Sequence, residues 1–182
     1  MRQDRLLLRT RHSADASAVL KRALTMLSAT YIRAYACIPD RMTETEKLLY
    51  TARVRTVGGR DGSSCSDDRR LDVMFSTPGS QRTGTNPEQM FAAGWSACLL
   101  GALRLAAAKR SITLPQDTAI NAEVDLFAAH REYFLRARLT VQLPGMDHAT
   151  AEELVKEGHQ KCPYSKATRG NIGVSLNVDG GN

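Results

Sequence analysis

Cys98 stands alone in the run "AGWSACLLGA" (93–102), among alanines, glycines and leucines that suit burial. Such surroundings fit a small inert core residue, and equally a thiol withdrawn from water in order to react. Burial by itself raises a thiol's pKa, so a reactive thiolate at this position needs a cation brought from elsewhere in the chain. The dipole of its own helix fades within the first turn, too early to help a residue twelve positions past the helix cap. Arg60, on the glycine-rich turn "GGRDG", is a candidate: it stays charged at any working pH and donates to a thiolate and a carboxylate together. Glu88, where the same helix begins, is a carboxylate able to hold that guanidinium. Read singly, Arg60 is also a solvated charge and Glu88 a residue favourable to the helix dipole. Cys162, directly before Pro163, reads as a helix-end residue. His159 lies three positions before it, but no C-x-x-C pair accompanies them and the other histidines are scattered, so no metal site is expected.

These side chains need elements to position them. The run Leu48 to Val57 is rich in Leu, Val, Tyr and Thr and predicts a strand, closed by Gly58, Gly59 and Gly62. Leu71, Val73 and Phe75 alternate in "RRLDVMFSTPG", predicting a second strand and, with the first, a hairpin. Asn86, Pro87 and Gln89 form a helix start in which Asn86 caps and Gln89 reaches back to the cap's amide. The helix from there to Ala108 is apolar or small nearly all round and predicts a central buried helix. A membrane span is not expected, given its Ala and Gly content, Arg104, and the basic end at Lys109 and Arg110.

"AINAEVDLFAAH" and "YFLRARLTVQLPG" predict two further strands, the second alternating Leu135, Ala137, Leu139 and Val141 with Arg136, Arg138 and Thr140. Asp147 caps a helix through "HATAEELVKEGHQK". "PYSKATRG" predicts a short helix, and "NIGVSLNV" a last strand. Strand, strand, helix, strand, strand, helix, short helix, strand, without a repeat, is an α+β order.

The 182 residues fit one domain, and the four cysteines are too few and too dispersed for a secreted disulfide scaffold. No signal peptide pattern is present, so a reducing, cytoplasmic compartment is expected. The net charge of +6 is unevenly spread: residues 1–41 carry +5 and residues 42–182 only +1. No basic stripe with interleaved aromatics remains on the larger part, so nucleic acid is not an expected partner. Residues 1–41 form a basic extension in which Leu20, Leu24, Leu27 and Tyr31 have helical spacing. It is either transit-like, which would imply a mitochondrial location, or sequence upstream of a start at Met42. Cys37 falls within it, and Cys65, in "DGSSCSDD", is expected to be exposed.

"GTNPEQMFAAGWSAC", followed 64 residues after its cysteine by "CPYSKATRGN", with "LYTA", "GGRDG" and "LPGMD" in order around them, resembles the organic hydroperoxide resistance (Ohr) branch of the OsmC/Ohr family. The match runs through most of residues 42–182. The resemblance implies an OsmC-like fold, antiparallel strands wrapping central helices in an intertwined homodimer with active sites near the subunit interface. It implies a thiol peroxidase acting on alkyl and fatty-acid hydroperoxides. Cys98 would be the attacking thiolate, Cys162 the resolving thiol, Arg60 the stabilising cation and Glu88 its orienting partner. The reductant would be the dihydrolipoyl group of a lipoylated protein, with no bound cofactor. An OsmC-branch peroxidase with other preferences and a non-catalytic redox-sensing or binding module are the alternatives. Met74, Phe91 and Trp95 are candidates for an apolar substrate surround, or plain core packing. In a straight helix Glu88 and Cys98 stand roughly 15 Å apart along the axis, far for one guanidinium to span. The loop "STPGSQRTGTNPEQ" is shorter and less glycine-rich than is usual in the family, and "FAAHREYF" stands where the family has a glycine-rich segment.

Overall fold

The computed structural model describes residues 46–180. The basic extension, with its expected helix and Cys37, and the expected start at Met42 lie outside the described residues. The chain divides into two units, Met1–Thr51 and Ala52–Asn182. In the first, the described residues 46–51 are exposed and carry no regular structure.

The second unit is α+β. Its elements are β1 (Val54–Val57), a 3-10 turn (Gly59–Asp61), β2 (Ser63–Ser66), β3 (Asp72–Met74), α1 (Pro87–Lys109), β4 (Ala119–Ala129), β5 (Glu132–Leu143), α2 (His148–Lys161), α3 (Pro163–Thr168) and β6 (Gly173–Gly180). They form two three-stranded sheets, β1-β2-β3 and β4-β5-β6.

The first sheet corrects two expectations. The strand expected from Leu48 forms only over Val54–Val57, because its partner β2 is four residues long and the ladder ends at Val54 opposite Ser66. β1 and β3 do not pair with each other: β2 lies between them, antiparallel to both. Its sequence, Ser-Ser-Cys-Ser, carries no apolar alternation, yet Ser64 is buried and its hydroxyl meets that of Thr56. Cys65 is accordingly half-buried in a strand, opposite Arg55 and Asp72, and not in an exposed loop.

The second sheet follows its sequence pattern closely. Ala137, Leu139, Val141 and Leu143 of β5 point into the core while Arg136 and Arg138 point out. Arg138 bridges Glu123 and Asp125 across the strand pair, its Nη2 donating to Asp125 Oδ1 at 3.1 Å. β4 and β5 meet at His130 and Arg131, with φ of 51° and 66°, the left-handed pair that a tight hairpin turn requires. β6 joins β5 in parallel and departs from an all-antiparallel arrangement, since α2 and α3 form the crossover that returns the chain to the starting end of β5.

Asn86 caps α1 as expected, its Oδ1 accepting from the Gln89 amide at 2.8 Å. The reciprocal bond is replaced: Gln89 Oε1 accepts from Thr85 Oγ1 at 2.9 Å. By length and composition α1 would cross a bilayer, but Trp95, Leu99 and Leu103 are fully buried against α2 and β4. Gly158 of α2 permits the closest approach. A Cβ there would stand 2.8 Å from Leu103 Cδ2 and 3.3 Å from the Leu103 backbone nitrogen. α2 therefore ends tightly against α1, which fixes the position of the residue that follows it, Cys162.

Candidate active site

α2 stops at Lys161, and Cys162 turns out of the helix with φ −59° and ψ 123° before Pro163 opens α3. Its amide still donates to Gly158 O at 2.8 Å and its carbonyl accepts from the Lys166 amide at 2.9 Å, so both flanking helices hold it. Cys162 is fully buried and Cys98 half-buried, and the two sulfurs are 3.4 Å apart. A disulfide bond measures about 2.05 Å, so these sulfurs need to close by little more than 1 Å.

Three influences act on the Cys98 thiol. Burial pushes its pKa up, the Tyr164 amide pulls it down by hydrogen bonding, and the adjacent Cys162 pushes it up again. The Tyr164 ring lies against α1 at Gly94, where a Cβ would come within 3.2 Å of Cε2, and stacks on Phe91 at 6.4 Å between centroids. Phe91 in turn meets Trp95 at 5.3 Å. Trp95 is fully buried and its indole Nε1 donates to Ser165 Oγ at 3.0 Å. The "CPYS" segment thus clamps the turn of α1 that carries Cys98. Tyr164 and Ser165 lie inside "CPYSKATRGN", where only their place directly after Cys162 and Pro163 hints at these contacts.

Arg60 and Glu88 form a second pair. The 3-10 turn after β1 is entered through Gly58 and Gly59, both at positive φ, and is tied to the loop after β3 by Asp61, whose Oδ1 accepts from Thr77 Oγ1 at 3.0 Å. Arg60 then grips Glu88 with its two terminal guanidinium nitrogens, Nη1 donating to Oε2 at 3.0 Å and Nη2 to Oε1. Hydrogen bonding from Arg60 holds the Glu88 carboxyl below its ordinary pKa, and Glu88 holds Arg60 more firmly protonated.

That shift sets a pH dependence. The folded-state pKa of Glu88 is depressed, so the pair's stabilisation is complete above the ordinary carboxylate value of about 4.3 and is lost as pH falls through the lower folded value. The difference in Tm between the wild type and Glu88→Gln is expected to stay constant above about pH 5 and to narrow below about pH 4, as followed by circular dichroism.

Arg60 and Glu88 line a cleft of about 840 Å³ whose apolar wall comes from Ala92 of α1 and Ala122, Val124 and Leu126 of β4, with Tyr133 of β5 beside them. Met74, Phe91 and Trp95 are not among its lining residues. Met74 is exposed on β3, while Phe91 stacks on Tyr164 and Trp95 is buried against Phe91 and Ser165. The sequence of β4 carries the signal of this wall in its alternation of Ala122, Val124 and Leu126. Within one chain the four chemical residues therefore fall into two pairs, Cys98 with Cys162 and Arg60 with Glu88. No hydrogen bond or ion pair joins one pair to the other among the described residues.

Comparison with known proteins places this arrangement in a family. The family model for OsmC-like protein matches residues 78–177. The chain is 43% identical over 141 residues to the organic hydroperoxide resistance protein of Xanthomonas axonopodis pv. citri (strain 306), covering 75% of this chain and 99% of that one. It is 42% identical over 135 residues to OhrA of Bacillus subtilis (strain 168), covering 71% and 96%. The crystal structure of OhrB of Bacillus subtilis superposes with a TM-score of 0.69 at 41% identity, covering 72% of this chain and all of that one. With 100 matched residues that include Glu88, Cys98 and Cys162, this chain belongs to the OsmC/Ohr family, in its organic hydroperoxide resistance branch.

Proposed function

We propose that the protein is a cysteine-based peroxidase that detoxifies organic hydroperoxides and is recycled by a lipoyl-type dithiol. The observation that carries this reading is the 3.4 Å approach of Cys98 to Cys162, two thiols 64 residues apart in sequence. The Cys98 thiolate attacks the outer oxygen of the hydroperoxide, the O–O bond breaks, and the departing alkoxide takes a proton to leave as an alcohol. Cys98 is left as a sulfenic acid. Cys162 then attacks that sulfur, a disulfide forms and water leaves. A resolving thiol already in place protects the sulfenic acid from further oxidation. The apolar wall of Ala122, Val124 and Leu126 favours substrates with a hydrocarbon part, whose burial contributes roughly 25 cal/mol per Å².

The reading also needs Arg60 near Cys98, and the single chain keeps them in separate pairs. An intertwined homodimer reconciles the two, with the Arg60–Glu88 pair of one subunit standing over Cys98 of the other. α1 supports it: Ala93, Ala97 and Gly101, at helical spacing, and Leu105, 67% exposed, leave an apolar face without a partner among the described residues of the single chain.

The spacing of the two sulfurs bears on the reductant as well. A monothiol that opens the disulfide leaves a mixed disulfide beside a free cysteine a few ångströms away, which expels it again. A dithiol escapes, because its second thiol attacks its own mixed disulfide intramolecularly. Turnover of cumene hydroperoxide with dihydrolipoamide is expected to exceed that with glutathione at equal thiol concentration by at least about 100-fold, in a coupled peroxide-consumption assay. Equal rates with both reductants remove the dithiol from the proposal, and no turnover with any thiol returns the protein to a non-catalytic module.

A further inference from the structure

Resting on the disulfide of that reading, we propose that the reductant attacks the sulfur of Cys98 and that Cys162 is always the leaving thiol, so reductant and hydroperoxide use one and the same opening. Thiol–disulfide exchange is a displacement in which the incoming sulfur approaches the attacked sulfur opposite the leaving one, and its rate depends on access to that line. Cys162 has no exposed surface. It belongs to the same core as Trp95, Leu99, Leu154 and Val155, and both its backbone groups are engaged by the flanking helices. Cys98 is packed against that core from its edge and keeps part of its surface open. The two sulfurs are already neighbours, so forming the disulfide requires no rearrangement that would bring Cys162 out.

The exchange then balances as follows. A thiolate of the reductant bonds to Cys98 Sγ, the Cys98–Cys162 bond breaks, and the electron pair leaves on Cys162, which takes up a proton. The second thiol of the reductant loses its proton, attacks its own sulfur in the mixed disulfide and closes a cyclic disulfide, returning the electron pair to Cys98 as the thiolate. Cys98 is thus delivered ready for the next hydroperoxide, while Cys162 returns as a free thiol inside the core. Because both substrates meet the same sulfur through the same opening, they are also expected to compete, with a bulky hydroperoxide slowing reduction of the oxidised protein.

The test uses the full chain, oxidised with diamide so that the disulfide does not depend on peroxide chemistry. The oxidised protein is mixed with excess 2-mercaptoethanol, quenched in acid, and the adduct located by peptide mass spectrometry. The adduct is expected on Cys98, with Cys162 free, in at least about tenfold excess over the reverse. Native maleimide labelling provides the second measurement: Cys98 in Cys162→Ser is expected to react at least about tenfold faster than Cys162 in Cys98→Ser, and both at similar rates in denaturant. An adduct on Cys162, comparable adducts on both, or equal native labelling overturns the proposal. Failure of diamide to join Cys98 to Cys162 overturns it too. If hydroperoxide fails to oxidise the protein while the diamide disulfide still opens at Cys98, the peroxidase reading falls and this one stands.

Discussion

Cys98→Ser is expected to lower cumene hydroperoxide consumption by at least about 10³-fold, while Cys162→Ser permits one turnover per subunit and then stops. On the proposed mechanism the two substitutions fail differently, because that mechanism gives the two sulfurs different work. Without Cys98 no nucleophile meets the peroxide, and the loss corresponds to about 4 kcal/mol or more of transition-state stabilisation. Without Cys162 the first step proceeds and yields the alcohol, but the sulfenic acid has no thiol 3.4 Å away to condense with. It is then open to a second and third peroxide, giving sulfinic and sulfonic acids. Mass spectrometry of Cys162→Ser after excess peroxide is expected to find two or three oxygens on Cys98, where the wild type shows only a disulfide. Cys98→Ser replaces sulfur by oxygen at a half-buried site, so its Tm is expected to change little, whereas Cys162→Ser buries a hydroxyl in the apolar core and is expected to lower Tm. A large drop in Tm for Cys98→Ser would show a packing residue instead. Steady cycling of Cys162→Ser with dihydrolipoamide, with no overoxidation, would remove its resolving role.

The fold was legible wherever burial writes a period into the chain. β5 alternates because one face meets the core, α1 starts at Asn86 because its cap chemistry is local, and α2 starts at Asp147 for the same reason, its Oδ1 accepting from the Thr150 amide at 3.0 Å. β2 escaped because Ser-Ser-Cys-Ser owes its strand state to two neighbours and not to its own side chains. The parallel placing of β6 escaped because direction is decided by the crossover through α2 and α3. The site was legible in kind more than in place. Arg60 and Glu88 were expected to meet, and the geometry of a straight helix already set Glu88 well away from Cys98. What no local pattern could express is that Gly158 lets α2 end against Leu103 and so delivers Cys162 to Cys98. The aromatics do not line the cleft, and in sequence an apolar residue near a reactive one reads the same whether it lines a cleft or supports the helix beneath it. Trp95, spent on Ser165 and wholly buried, supports.

Arg60→Met is expected to lower the rate of Cys98 oxidation by roughly 10²- to 10³-fold, the usual cost of removing a preorganised donor from a developing anion. The argument begins from Cys98 itself. Burial and the neighbouring thiol both push its pKa up, and the single Tyr164 amide pulling the other way leaves the thiolate in need of a fixed positive charge. Arg60 is the cation that Glu88 orients into the cleft, yet within a chain it bonds Glu88 and not the sulfur. If the pair serves the partner subunit, inactive variants must rescue one another. Co-expressed and co-purified, Arg60→Met and Cys98→Ser chains assort at random, about half the dimers are mixed, and each mixed dimer joins one intact Cys98 to one intact Arg60. About a quarter of the wild-type active sites are then restored. If Arg60 instead serves its own chain, no mixed dimer holds a complete site and the preparation stays as inactive as the two parents. Arg60→Lys separates charge from geometry: the ammonium keeps the charge but cannot make the two-pronged grip on Glu88, so partial recovery of the rate, with a smaller thiolate fraction at neutral pH, is expected. A variant that restored Tm but no rate would make Arg60 a fastener of the turn after β1. Rescue in the mixed dimer is a result that a merely structural arginine cannot give.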